Sequence, residues 1–413
     1  MRSVIAAHPR VSDSRQLKIV GRRNDISDME ILPLCFKLWT IGGFWRPLDY
    51  YSPMSKFLYN CYSFVSFLGL YSLMLFEFLD IVFNFGNLDD FTSIAFMFMT
   101  VLSDCLKAAN TLGKRSRIIE IQDMLTDETC IAHDTEEQMI LERSAKVCRS
   151  NTQYLGILIM SFVVFLFVGS LLFNVNERIL PVKVWLPYSL SSLTSFSLSY
   201  LYQIWVSMLA AFMATANDTY ITGLMIQICA QLDILKYRLL SLPRSGDSER
   251  NANSSVSQKE IILKMCIRHH NHIIKVAATV EETFSSIIFF QCFVSTTVIC
   301  VATFILLKSD FMSVEFIITL MYFPPLLFEL LIYCWYGNEV TLKSTEIRDA
   351  VFEMDWIPLP VSMKKDLILV ILRAGRTIKF TSAYVLTLSL DSFMAILKLS
   401  YSAFNVMQQS SKD

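Results

Sequence analysis

The chain ends in the stretch FTSAYVLTLSLDSFMAILKLSYSAFNVMQQ, which runs from Phe380 to Gln409. It is long enough to cross a bilayer as a helix, since about 20 helical residues span the hydrocarbon core. Even so, a polar side chain recurs at every third or fourth position, and the series includes Asp391 and Lys398. A polar stripe within hydrocarbon is costly unless it faces protein or water. The surroundings of this helix therefore decide what kind of membrane protein the chain is.

On a helix, the polar positions of this stretch form one face, in which Ala395 is the apolar exception. They are Thr387, Asp391, Lys398, Ser402, Asn405 and Gln409, and Val406 lies at the edge of the face. Periodicity alone leaves two interpretations open. One such face from each of several subunits around an axis would line a water-filled pore, although Lys398 is unfavourable for cations. Alternatively, the hydroxyl groups would hold packed helices together without conduction.

The composition places the chain among membrane proteins. Of its 413 residues, 54% are hydrophobic and only 18% are charged, and the net charge is −1. A chain with this charge balance is not expected to bind nucleic acid. The sequence also lacks the P-loop, G-x-G-x-x-G, H-E-x-x-H and G-x-S-x-G motifs. We therefore expect neither an enzyme nor a bound cofactor.

Seven stretches predict an all-α membrane protein that forms one seven-helix unit over residues 1–413. Six are clearly apolar and the last is weaker; they are 57–83, 91–109, 154–173, 196–213, 284–307, 314–335 and 381–407. The segments 1–56, 107–150, 214–283 and 336–379 contain nine, seven, eight and seven Lys and Arg residues. The alternate connections 84–90, 174–195 and 308–313 contain none, two and one. Because positively charged loops stay cytoplasmic, we predict a cytoplasmic N-terminus and an extracellular C-terminus.

Amphipathic segments on the predicted cytoplasmic side are expected to form a helical anchor domain. Apolar residues recur at helical spacing through 214–283, the extensions of spans four and five, on both sides of a flexible turn at 241–257. A third such pattern lies in 336–379, just before the last helix, 380–409. His270 belongs to a cluster with Cys266, His269 and His272. No second Cys or His pair lies nearby, so we expect packing in the anchor rather than a metal site.

The middle and outer parts of several spans are rich in aromatic and other apolar residues, which permits a pocket for a volatile or lipophilic ligand. Each such residue taken singly would more often face lipid or the core. The candidate contacts are Phe91, Phe98, Met160, Val164, Tyr200, Ile204, Phe316 and Leu320. The connection 174–195, stiffened by Pro181 and Pro187, would cover the pocket. Glu77 and Asp80 lie near the outer end of the first span, facing either the protein interior or the membrane interface.

Four stretches resemble insect odorant receptors. GNEVTLKSTEIRDAVFEMDW (337–356) and the final stretch 380–409 carry the strongest likeness. LWTIGGFW (38–45) and HHNHIIKVAATVEETFSSIIFFQCF (269–293) carry a weaker one. The resemblance implies a tetrameric, odorant-gated, non-selective cation channel in the plasma membrane of sensory neuron dendrites. It also implies that the odorant binds in the outer half of each subunit and that four last helices line one pore.

The resemblance further implies roles for individual residues. Val406 would form the narrow gate, Ser402 would contact hydrated cations, and Gln409 and Ser410 would lie at the outer mouth, although a bulky residue is common at the last position. Trp356 would belong to the link between anchor and pore.

The short link 241–257 distinguishes an odorant-tuning subunit from the shared odorant co-receptor, with which it would assemble. A gustatory-type channel is one alternative, although Ser400-Tyr401 is not followed by the expected Gln-Phe. A metabotropic seven-helix receptor is the other, although G-protein-coupled receptors have the opposite orientation.

Overall fold

The structure, a computed structural model, describes residues 31–47, 52–83, 88–174, 179–244, 252–311, 313–382 and 386–410. Within these ranges the chain forms ten α-helices and one short pair of strands. The helices are α1 (Pro33–Gly42), α2 (Pro53–Phe83), α3 (Leu88–Gly113), α4 (Arg115–Leu125), α5 (Thr135–Asn174), α6 (Leu193–Ser241), α7 (Ala252–Lys308), α8 (Val314–Glu353), α9 (Val361–Ala374) and α10 (Leu390–Ser410). The strands β1 (Thr381–Ser382) and β2 (Leu386–Thr387) are antiparallel. The prediction of an all-α membrane protein is confirmed.

The first six predicted spans lie in α2, α3, α5, α6, α7 and α8, and most of the seventh lies in α10. In the described part of the chain, five of these helices are long and apolar enough to cross a membrane, namely α2 and α5 to α8. The other two predicted spans contain charged side chains as well. α3 carries Asp104 and Lys107, and α10 carries Asp391 and Lys398. A helix with such groups must place them against protein or water.

α6 is the central helix of the bundle. Every residue in 215–232 is buried. The sequence pattern predicted a single apolar stripe here, but α6 is surrounded by α1, α5, α7 and α8. A helix enclosed in this way is buried all round and has no solvated face. Most of its buried polar side chains form hydrogen bonds inside the bundle; for example, Gln231 Nε2 donates to the Cys130 carbonyl oxygen at 3.2 Å.

α6 and α7 extend well beyond the thickness of a membrane. They contain 49 and 57 residues, which correspond to about 73 and 85 Å of helix, against roughly 30 Å of hydrocarbon. They therefore continue through most of 214–283. α7 begins at Ala252, so helix already occupies part of the predicted turn 241–257. Assignment of these extensions to the cytoplasm stays a prediction.

The last segment differs from the predicted continuous helix over 380–409, because α10 begins only at Leu390. Leu388 N–H donates to the Phe380 carbonyl oxygen at 2.9 Å, which closes the strand pair. Ser389 then caps α10, since its Oγ accepts from Ser392 N–H at 3.2 Å. Serine at this position satisfies a donor that the helix itself leaves free. Thr387 therefore lies in β2 and not on the polar face of the helix.

The N-terminal helix α1 packs its aromatic side chains onto α6. Trp39 is fully buried, and its ring lies 4.9 Å from that of Tyr220. α1 is capped at its C-terminal end by Gly43, whose φ of 83° lies in the left-handed region. A Cβ atom at Gly43 would also lie 2.6 Å from Ser66 Oγ. The turn that joins α1 to the bundle therefore requires glycine.

We expect Gly43→Ala to destabilise the protein by at least about 1–2 kcal/mol, the cost of a left-handed backbone for a residue with a Cβ atom. The measurement is thermal unfolding of the detergent-purified protein. Gly113→Ala is the matched control, because a Cβ atom there would contact nothing within 4 Å. Equal melting temperatures for the two variants would contradict the requirement for glycine at Gly43.

Candidate functional site: a buried cavity

A cavity of about 130 Å³ lies inside the helix bundle. Six helices contribute to its wall, namely α2, α3, α5, α6, α7 and α8. Its apolar lining residues are Leu73, Met97, Val101, Ile159, Phe162, Val163, Leu166, Val182, Ala210, Ala211, Ala214, Val294, Pro325 and Leu326. An apolar cavity of roughly 150 Å³ holds a benzene ring. The space is therefore suited to a small molecule with an apolar body.

A segment before α6 closes one side of the cavity. Val182 lines the cavity, and its backbone is held at both polar groups by Gln203 of α6. Gln203 Oε1 accepts from Val182 N–H at 3.2 Å, and Gln203 Nε2 donates to the Val182 carbonyl oxygen at 2.8 Å. Trp185 N–H donates to the Phe76 carbonyl oxygen of α2 at 3.2 Å. The connection 174–195, which was expected to cover a ligand pocket, thus contributes Val182 to the wall of this cavity.

A charged cluster forms one end of the cavity. Lys107 Nζ lies 2.8 Å from Asp218 Oδ2, 3.2 Å from Glu329 Oε1 and 3.9 Å from Asp104 Oδ1. Tyr333 donates its hydroxyl hydrogen to Asp218 Oδ1 at 2.9 Å. The Lys107 side chain is 2% exposed, so these groups are withdrawn from water. Lys107 therefore joins α3, α6 and α8 through one ammonium group.

Removing one partner from a buried ion cluster leaves the others uncompensated, at a cost of about 3–5 kcal/mol. We expect Lys107→Met, which keeps the length of the side chain, to abolish stable folding or to lower the melting temperature strongly. Lys146→Met is the control, because Lys146 lies exposed on α5. Size-exclusion profiles and melting curves of both purified variants test this. A Lys107→Met protein as stable as the control would contradict a structural role for the cluster.

The remaining polar groups of the wall mostly bond to each other. Thr100 Oγ1 and the Tyr322 hydroxyl are 2.8 Å apart. Ser103 donates its hydroxyl hydrogen to Gln291 Oε1 at 2.5 Å. Glu77 differs from them. Its side chain is buried, and both carboxylate oxygens lack a hydrogen-bond partner in the described part of the chain.

None of the eight predicted ligand contacts is among the described residues that line this cavity. Val164 and Leu320 are half exposed, pointing away from the core. Tyr200 is buried and donates to the Phe167 carbonyl oxygen at 2.5 Å. Phe98 packs against Phe78, with ring centroids 6.0 Å apart.

Three of the others are half-buried side chains outside the lining: Met160, Ile204 and Phe316. The Phe91 side chain lies outside the described residues.

The predicted ligand contacts and the observed lining residues differ for one reason. Depth in the membrane follows from the position along a helix, but each residue is rotated by about 100° from the one before it. Val163 therefore lines the cavity while Val164 does not. The charged cluster was missed as well, although charged residues within predicted spans are a known signal of an interior site.

The polar face of α10 lies on the surface of the single chain. Asp391, Lys398 and Ser402 are exposed, and Ser402 Oγ donates to the Lys398 carbonyl oxygen at 2.9 Å. The opposite face packs on α7 and α8 through Ile396 and Ser400, which are buried. The side chains of Val406, Gln409 and Ser410 lie outside the described residues. Their assignment to a gate and an outer mouth stays a prediction.

The predicted anchor contains a second buried ion pair. Arg238 Nε donates to Glu137 Oε1 at 2.7 Å, and one Arg238 amino group faces His269 Nδ1 at 3.3 Å. His269 Nε2 lies 2.9 Å from Gln231 Oε1, so the neutral ring donates there and accepts from Arg238. Burial raises the pKa of the neighbouring Cys130 thiol to about 11, which keeps it protonated. Both ring nitrogens of His269 are therefore used in hydrogen bonds, to Arg238 and Gln231.

The two predicted anchor residues lie in different environments. His270 is buried on α7, whereas Trp356 is 45% exposed in the turn between α8 and α9. The Lys364 ammonium lies 5.8 Å from the centre of the Trp356 ring.

Comparisons with known proteins agree with this architecture. A family model described as 7tm Odorant receptor matches residues 87–401. Odorant receptor Or2 of Anopheles gambiae is 21% identical over 389 residues, covering 93% of this chain and 99% of that protein. Odorant receptor 13a of Drosophila melanogaster is 23% identical over 249 residues, covering 57% of this chain and 59% of that protein.

A solved structure has the same fold. The insect olfactory receptor OR5 from Machilis hrabei, determined in complex with eugenol, superposes with a TM-score of 0.79 at 14% sequence identity. The match covers 96% of this chain and 100% of that one. The apolar helices and the family match together define a multi-pass membrane receptor rather than an enzyme. The chain belongs to the odorant receptor family.

Proposed function

We propose that this chain is an odorant-tuning subunit that binds a small volatile or lipophilic molecule in the cavity. Together with the shared odorant co-receptor, it gates a non-selective cation channel. The observation that carries this proposal is the mostly apolar cavity inside a chain of the odorant receptor family. Burial of apolar surface contributes about 25 cal/mol per Å², which is the main source of affinity for such a ligand.

A packed connection links the cavity to the last helix. Glu329 lines the cavity on α8, and Gly337 lies two turns further along the same helix. A Cβ atom at Gly337 would overlap Leu388, which precedes α10. A ligand that favours one position of α8 would therefore bias the position of α10. It opens the channel only through its higher affinity for the open state.

The exposed polar face of α10 supports a lumen shared between subunits. Such a face is unfavourable against lipid, and in the single chain no helix in the described ranges covers Asp391, Lys398 or Ser402. In the proposed heterotetramer these faces surround a common axis. Val406 forms the dewetted gate at rest, and Gln409 and Ser410 lie at the outer mouth.

The proposed placement is the plasma membrane of a sensory neuron dendrite. The N-terminus is cytoplasmic, in accordance with the distribution of Lys and Arg. The anchor, including His270 and Trp356, lies on the same side and holds the subunits together.

Co-expression tests the proposed function. Cells with this chain and the shared co-receptor are expected to give odorant-evoked cation currents that persist in excised patches without nucleotide. Cells with either chain alone should not respond to the same odorants. Robust currents from this chain alone would contradict the subunit assignment. Loss of the current in excised patches would favour a metabotropic receptor.

A further inference from the structure

Acidic side chains outnumber basic ones in the cavity wall. Among its described residues, three are carboxylates, Glu77, Asp104 and Glu329, and one is an ammonium, Lys107. Lys107 is already shared between Asp104, Glu329 and the adjoining Asp218. A cationic ligand would therefore stabilise the ionised form of these acids, whereas an anionic ligand would oppose it.

Glu77 is the residue on which this excess centres. Its side chain is 1% exposed, and neither carboxylate oxygen has a hydrogen-bond partner in the part of the chain that the structure describes. An unpaired buried carboxylate is among the most costly groups in a protein interior. The ionised form of Glu77 therefore needs a donor that the described residues do not supply.

Lys107 is too far along the bundle to be that donor. The rings of Phe78 on α2 and Phe98 on α3 are 6.0 Å apart, which places Glu77 level with about residue 99. From there to Lys107 is about two helical turns, or roughly 12 Å along α3. The Lys107 ammonium is 2.8 Å from Asp218 Oδ2 and remains in its own cluster.

We propose that the cavity binds a small protonated amine with an apolar body, whose ammonium group is held by Glu77. This ligand class rests on the proposed function. An ammonium supplies N–H donors for both unpartnered oxygens and forms charge-assisted hydrogen bonds with them. The apolar lining, including Phe162 and Val163, accommodates a body about the size of a benzene ring.

The experiment compares an amine, an alcohol and a hydrocarbon that share one carbon skeleton, such as 2-phenylethylamine, 2-phenylethanol and ethylbenzene. Several such sets, each with a different skeleton, are tested. Currents are recorded from the full chain with the co-receptor. In the wild type, the half-maximal concentration of the amine should be at least about tenfold below that of the matched alcohol, equivalent to one charged hydrogen bond. In Glu77→Gln this ratio should collapse to near one.

Asp80→Asn is the matched control, since Asp80 is a second buried carboxylate on α2, one turn further along. It should keep the amine-to-alcohol ratio. Surface labelling shows which variants reach the membrane. If Glu77→Gln does not reach it, the amine-to-alcohol ratio of the wild type still tests the proposal.

Three results would overturn the amine assignment: neutral ligands activate while amines do not, the ratio persists in Glu77→Gln, or Asp80→Asn abolishes it equally. Silence of every ligand in cells that display both chains would instead refute the proposed function, and the assignment with it.

Discussion

The structure depends on one constraint, namely that charged groups inside an apolar helix bundle must be paired there. Lys107 meets it by binding Asp218 and Glu329, and through them it fixes the relative positions of α3, α6 and α8. The cavity lies directly beside this cluster. The cluster therefore shapes the end of the cavity, and an ion cluster of this kind tolerates little rearrangement because loss of one partner leaves a buried charge.

The same constraint explains the contrast between α6 and α10. α6 contains many polar residues, yet it is enclosed, and Asp218, Gln231 and Arg238 form hydrogen bonds with side chains of other helices. α10 has a polar face that the described part of the single chain leaves open, with Asp391, Lys398 and Ser402 exposed. In one helix the polarity is satisfied within the subunit; in the other, we infer, it is satisfied by water and neighbouring subunits.

Much of the fold was predictable, because hydropathy and length identify helices well. Six of the seven predicted spans lie entirely in helices. The predicted start of the seventh was wrong, because capping by Ser389 makes α10 begin at Leu390. The cavity was not predictable from depth alone. Which of Val163 and Val164 faces inward depends on helix rotation, and that is fixed by contacts between distant residues such as Lys107 and Asp218. The sequence signal for the cluster is the presence of three of its charged residues, Asp104, Lys107 and Glu329, within predicted spans.

The central claim is that the odorant occupies the cavity inside the bundle, and adjacent valines on α5 test it most directly. Val163 lines the cavity, and Val164 is 54% exposed on the outside. Each is replaced by tryptophan, and odorant-evoked currents are recorded with the co-receptor at matched surface expression. We predict that Val163→Trp fills the cavity and abolishes the response, while Val164→Trp responds as the wild type does. Retained responses in Val163→Trp together with loss in Val164→Trp would contradict a ligand site in this cavity.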